Sequence, residues 1–236
     1  MGTIYLIRHG QAPFRAQNYD VLPPFGVQQS EILSDYLINI GVEFTQCFSG
    51  DMSRQKNTAQ IILSHYRTMQ QPTPQLSIDS AFNEINADAL IRLMLPHITE
   101  HEPYAIANLR NPLQDRKEFQ YLFAIIMQRW ATGQDNIPKQ LHWSTLGGTV
   151  HADMQRILET AQEHEHIGIF TSCGTITAYL HLLRGRTAQQ TFELNWQIVN
   201  TSLNRLKFRN DPVAPTSFNS HPYLDLLKNQ LLITYR

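Results

Sequence analysis

Residues 5–14 read YLIRHGQAPF, an apolar run that meets Arg8, His9 and Gly10 directly. Taken back to residue 3, the stretch TIYLI has the β-branched and aromatic content of a buried strand, and Gly10 ends it. A cation and an imidazole at the end of such a strand need a reason, because burial without partners is costly for both. A second stretch, IGIFTSCGTI at 167–176, has the same layout: an apolar strand, then a small-residue turn that carries Cys173 and Gly174.

The segments around these two alternate between the periods of helix and strand. Residues 26–40 place apolar side chains at 32, 33, 36, 37 and 40, which is helical spacing, and Gly41 supplies a stop. EFTQCFSG (43–50) reads as a second strand. DMSRQKNTAQIILSHY (51–66) reads as a second helix, with Asp51 or Ser53 as its N-cap, and PQLSIDSAF (74–82) as a short third strand. Residues 85 to about 150 break the alternation with helical patterns only, and read as an insertion or cap. A helix over 150–164 then leads to the strand HIGIFTS, a helix that Gly185 ends, and strands at SLNRLKF (202–208) and NQLLITYR.

This order predicts an α/β fold: a three-layer α/β/α sandwich with a mostly parallel sheet, in one domain over 1–236, with a cap-like helical insertion at about 85–150. Open sheets of this kind bind ligands beyond the C-terminal ends of their strands. Arg8 and His9, and Cys173 and Gly174, both fall at such ends.

Composition narrows the partners. The 236 residues are 42% hydrophobic with a formal net charge of -1, which is globular and argues against a nucleic-acid binder. No apolar run approaches the ~20 residues that cross a bilayer, so no membrane partner is expected. The start MGTIYLIRHG lacks a signal-peptide pattern, and Leu6 stands where myristoylation wants Ser or Thr. Two cysteines, Cys47 and Cys173, make neither a disulfide scaffold nor a C-x-x-C metal pair, so a reducing, cytoplasmic setting is expected. HEH at 164–166 reads as a solvated turn rather than a metal site.

Four ordered blocks, LIRHGQA, LPPFGVQQSEIL, FSGDMSRQKNTAQ and FNEI, resemble the histidine phosphatase (phosphoglycerate mutase-like) superfamily. The resemblance covers most of the chain outside the insertion. It implies that His9 is the nucleophile and forms a phosphohistidine, a role that suits a neutral imidazole. It implies that Arg8 and Arg54 clamp the phosphoryl oxygens, which planar, permanently charged guanidinium groups match well. Gly10 lets the backbone pass close to the anion. Glu84 is the matching general acid. Asn18, Tyr19 and Asp20 resemble a family loop, although a turn explains them; Gln29 reads as a packing or loop-anchoring residue. No metal or cofactor is called for.

The chain departs from the family pattern at one place. Ser172-Cys173-Gly174 stands where the family usually has Ser-His-Gly. Losing one donor to a developing oxyanion costs ~2.7–4 kcal/mol. Cys173 fails as a cysteine-phosphatase nucleophile, because the arginine six positions on is replaced by Tyr179. It reads as a small residue beside the phosphate, with Gly174 at a helix N-terminus. FNEINADALIRL lacks the basic and aromatic run of glycolytic mutases. The reading is a phosphatase acting on a small phosphorylated molecule, with inorganic phosphate as product. The alternative is a weak or inactive member that binds a phosphorylated ligand. The insertion should shape the substrate, with Arg92, Arg110, Arg116, Arg129, Lys117 and Lys139 as unranked candidates to contact it.

Overall fold

The computed structural model describes residues 1–13, 20–111, 115–133, 135–184, 188–209 and 213–235. Asn18, Tyr19 and Gly185 lie outside the described residues. The chain runs through β1 (Gly2–Arg8), α1 (Pro24–Asn39), β2 (Gln46–Ser49), α2 (Ser53–Thr68) and β3 (Leu76–Ile78), then a 3-10 turn at Ser80–Phe82. Four helices follow: α3 (Ala87–His101), α4 (Pro103–Ile106), α5 (Arg116–Thr132) and α6 (Trp143–Thr160). The rest is β4 (His166–Thr171), α7 (Cys173–Arg184), α8 (Ala188–Asn195), β5 (Leu203–Phe208), β6 (Ala214–Ser220) and α9 (Pro222–Asp225).

The six strands form one sheet in the order β3-β2-β4-β1-β5-β6. The pairs β2–β3, β2–β4 and β1–β4 are parallel, whereas β1–β5 and β5–β6 are antiparallel. Alternate side chains feed opposite faces, as a pleated strand requires. On one face Tyr5 and Ile7 pack with Leu33 and Leu37 of α1 and Ile62, Leu63 and Tyr66 of α2. On the other, Ile4, Leu6, Ile167 and Ile169 pack with Met154 and Ile157 of α6 and Ile176 and Tyr179 of α7. Leu33 and Leu37 are fully buried, and truncating either to alanine removes about 2–5 kcal/mol. A third apolar cluster joins Leu90, Met94 and Ile98 of α3 to Ile126 and Trp130 of α5 and to Trp143. The helical segment therefore has packing of its own, tied to the sheet layer through α6 and α7.

Several boundaries differ from the sequence reading. Helix α6 begins at Trp143, not near 150, and runs through Gly147 and Gly148. A Cβ at Gly147 would lie 3.0 Å from the Ala178 carbonyl, so that glycine allows α6 and α7 to approach closely. Strand β6 and helix α8 carried no clear periodic signal. The run NQLLITYR is not a strand: after a 3-10 turn at Gln230–Leu232 its backbone bonds to side chains and a loop instead of a ladder. Helix α2 has Met52, not Asp51 or Ser53, at its N-cap, with no cap from its own side chain. Gly41 does end α1, with φ +69° just past its last turn.

Candidate functional site

The register of the sheet brings the site together. Arg8 pairs with Thr171 at the C-terminal ends of parallel strands β1 and β4, and the His9 amide donates to the Thr171 carbonyl at 2.9 Å. Arg54 enters on the first turn of α2, directly after β2. Glu84 enters on the loop after the 3-10 turn, and Cys173 and Gly174 open α7. Arg8, His9 and Arg54 are all buried.

His9 has a defined tautomer. Its Nδ1 lies 2.7 Å from the Gly10 carbonyl, which can only accept, so Nδ1 carries the proton. Nε2 then presents a lone pair, and Arg54 Nε donates to it at 3.2 Å. Burial, followed by the charges of Arg54 and Arg8, holds the imidazole well below its usual range, against the opposing Gly10 bond. The unfolded chain binds a proton here below about pH 6.5 and the folded chain does not, so this site removes stability as pH falls through that value. The ring is expected to remain neutral, with its proton on Nδ1, at about pH 6 in imidazole ¹⁵N spectra, where an ordinary histidine is mostly protonated. A charged ring there would contradict this arrangement.

Asp20 sets Arg54. Its carboxylate accepts from the Ser53 amide at 2.7 Å, the Arg54 amide at 3.1 Å and Arg54 Nη1 at 3.2 Å. It therefore caps α2 from 33 residues upstream, where the sequence offered only a turn. Partial burial works against its charge, but the two amides and Arg54 hold its carboxyl below the usual range.

Arg8 donates to the carbonyls of Ile198 and Tyr235, the latter at 3.0 Å. Its Nε is buried with no hydrogen-bond partner among the described residues. A buried, unsatisfied guanidinium donor of this kind is a ready contact for an anion. Gly10 serves packing more directly than anion approach: a Cβ there would lie 2.5 Å from the Gly26 carbonyl at the start of α1. Its amide donates to Thr58 Oγ1 at 3.0 Å.

Glu84 lies against the first turn of α7. Its Oε2 accepts from the Gly174 amide at 3.0 Å and stands 3.9 Å from Cys173 Sγ. The Gly174 amide is thus engaged by a carboxylate and is open to a phosphoryl oxygen only if Glu84 turns. The loop that carries Glu84 is held from three sides: Gln55 Nε2 and Thr171 Oγ1 donate to the Phe82 carbonyl, and Thr175 Oγ1 to that of Asn83. Burial raises the Cys173 thiol and Glu84 adds to this, while Arg8 and Arg54 oppose it. The thiol is therefore neutral, a weak donor and a weak nucleophile.

Sequence reasoning missed the turn Asn200–Thr201. The Thr201 amide donates to the carbonyls of Arg8 at 3.1 Å and His9 at 3.3 Å. Thr201 is fully buried with φ +64°, a left-handed conformation that costs a β-branched residue about 1–3 kcal/mol. The Tyr223 hydroxyl holds it by donating to the Thr201 carbonyl at 2.7 Å. In the helical segment, Arg129 is not available to a substrate as the sequence suggested: it bonds Glu102 at 2.8 Å and Asp135 at 2.6 and 2.9 Å. Among the described residues no group of three His, Cys, Asp or Glu side chains is placed to hold a metal ion.

The sequence profile of the histidine phosphatase superfamily (branch 1) matches residues 4–221. The chain belongs to this superfamily. The match contains His9, Arg54, Glu84 and Cys173, so the convergence just described lies within the superfamily's own region. A mitochondrial relative in Caenorhabditis elegans, serine/threonine-protein phosphatase Pgam5, is 31% identical over 120 residues. That alignment takes in 51% of this chain and 33% of the relative, so the chain spans about a third of its length. Among solved structures, phosphoglycerate mutase from Bacillus anthracis superposes with TM-score 0.64 at 18% identity, over 96% of each chain. Bacillus stearothermophilus YhfR gives 0.65 at 15%, over 95% of this chain and 100% of that one. An Entamoeba histolytica phosphoserine phosphatase, solved with phosphoserine, gives 0.61 at 18%, over 95% and 100%. At these identities the structures establish the histidine phosphatase fold and nothing finer.

Proposed function

We propose that this chain is a phosphatase that hydrolyses a small phosphorylated molecule through a phosphohistidine on His9. One observation carries the reading: a buried imidazole whose Nδ1 proton is fixed by the Gly10 carbonyl, and whose Nε2 lone pair faces Arg54. Arg54 Nε transfers its bond from Nε2 to a phosphoryl oxygen, the freed lone pair attacks phosphorus, and the bond from phosphorus to the ester oxygen breaks. Glu84, as general acid, delivers a proton to that leaving oxygen. Water then attacks the phosphohistidine, Glu84 takes a proton from it, and inorganic phosphate leaves with Nε2 restored. Arg54 and the unpartnered Nε of Arg8 take the phosphoryl oxygens, where fixed donors stabilise the spreading charge.

In this reading the helical segment over 85–150 is a cap on a single domain, and it shapes the substrate side of the site. Cys173 and Gly174 border the phosphate. No helix among the described residues is long and apolar enough to cross a membrane. A cytoplasmic setting and a soluble ester are part of the proposal, from the two cysteines that form neither a disulfide scaffold nor a metal pair.

A second reading is favoured by the thiol at Cys173, which supplies no imidazole donor: a member that binds a phosphorylated ligand and turns it over slowly or not at all. A screen of phosphate release over small phosphomonoesters, sugar phosphates and phosphopeptides separates the two. The phosphatase reading expects saturable release from at least one ester. Tight binding of an ester with no release would overturn it in favour of the second.

A further inference from the structure

The segment Leu232–Tyr235 lies 223 to 226 residues from His9 in sequence, yet hydrogen bonds through Gln29 and Asn200 join it to the backbone on either side of Gly10, directly after His9. Gln29 is fully buried. Its Oε1 accepts from the Gln11 amide at 2.8 Å, while its Nε2 donates to the Leu232 carbonyl at 2.8 Å and to Thr234 Oγ1 at 2.9 Å. Asn200 is also fully buried. Its Nδ2 donates to the His9 carbonyl at 3.1 Å, its Oδ1 accepts from Thr234 Oγ1 at 3.0 Å, and its amide donates to the Thr234 carbonyl at 2.8 Å. The Thr234 hydroxyl is the node of this chain. It accepts from Gln29 and donates to Asn200, which uses its single proton in the direction the geometry needs.

Resting on the phosphatase reading, we infer that Thr234 is a positioning residue that, through Gln29 and Asn200, sets the nucleophile loop His9–Gln11. The His9 carbonyl and the Gln11 amide bracket Gly10, directly after the residue whose Nε2 must line up with phosphorus and whose Nδ1 bonds the Gly10 carbonyl. A loop tied at both points holds that atom, whereas a loop tied at neither keeps the bonds to Thr171 and Thr201 at Arg8 and His9 and to Thr58 at Gly10, and loses those at the His9 carbonyl from Asn200 and at Gln11. The phosphate clamps do not depend on the hydroxyl. Arg8 is held by the carbonyls of Ile198 and Tyr235, and Arg54 by Asp20. Losing the hydroxyl should therefore spoil aim and leave binding intact.

Thr234→Val keeps the side chain's shape and removes the node; Thr234→Ser keeps the node. With p-nitrophenyl phosphate, Thr234→Val is expected to lower kcat about tenfold with KM within about threefold of the parent, because misalignment of a reacting atom acts on turnover. Thr234→Ser should retain parental kcat. Asn200→Asp keeps the acceptor for Thr234 and loses the donor to His9, and should lose turnover as Thr234→Val does. Amide hydrogen exchange at Gln11 is read in parallel, and should quicken in Thr234→Val but not in Thr234→Ser. Parental kcat in a folded Thr234→Val, or equal losses in the valine and serine variants, would overturn the inference. If the parent itself releases no phosphate, the phosphatase reading has failed. Gln11 exchange then decides alone: unchanged exchange in Thr234→Val overturns the role of Thr234, and faster exchange upholds it.

Discussion

His9→Ala is expected to abolish phosphate release, by on the order of 10³-fold or more, because the atom that bonds to phosphorus is gone and no neighbouring group can replace it. The Cys173 thiol at this edge cannot stand in, because burial and Glu84 hold it neutral. The variant should fold. His9 is a buried base, and among the described residues its ring bonds only the Gly10 carbonyl and Arg54 Nε. Inorganic phosphate should still bind, since Arg8 and Arg54 keep their anchors in Ile198, Tyr235 and Asp20. A folded His9→Ala protein that keeps a tenth of parental turnover would remove His9 from the chemistry.

Glu84→Gln carries the second large effect, and it should depend on the leaving group. Glutamine preserves the acceptor for the Gly174 amide and cannot deliver a proton to an ester oxygen. An alkyl phosphoester, whose alkoxide leaves poorly, should slow by about 10²–10⁴, the range of general acid catalysis. p-Nitrophenyl phosphate should slow far less, because its phenolate leaves without a proton. Equal losses on both esters would show that Glu84 acts by holding the first turn of α7 and not by protonating the leaving group.

The parts of this site that were legible in the sequence are those written in short local blocks. Arg8, His9 and Gly10 follow a strand directly, and Arg54 sits at the start of the helix after β2. Each position follows from strand length and helix register. Asp20, Asn200, Thr201 and Thr234 were not legible, because each acts through a bond to a residue far away in the chain. Nothing local marks Thr201 as left-handed, since its φ is imposed by the carbonyls of Arg8 and His9 and by Tyr223. The apolar run at 230–235 has the composition of a strand, but Gln29, Asn200 and Arg8 take the bonds a ladder would use. Strand β6, APTSFNS, is a half-exposed edge with polar residues and a proline, and periodicity is weakest at such edges. The helix read from about 150 starts earlier, at Trp143, and Gly147 within it is where α6 meets α7.

The most direct measurement is to quench the enzyme in base during turnover and locate any phosphoryl group by peptide mass spectrometry. One phosphoryl group is expected on the peptide containing His9, stable in base and lost in acid. Phosphate release with the label on the Cys173 peptide, or with none on His9, would contradict it.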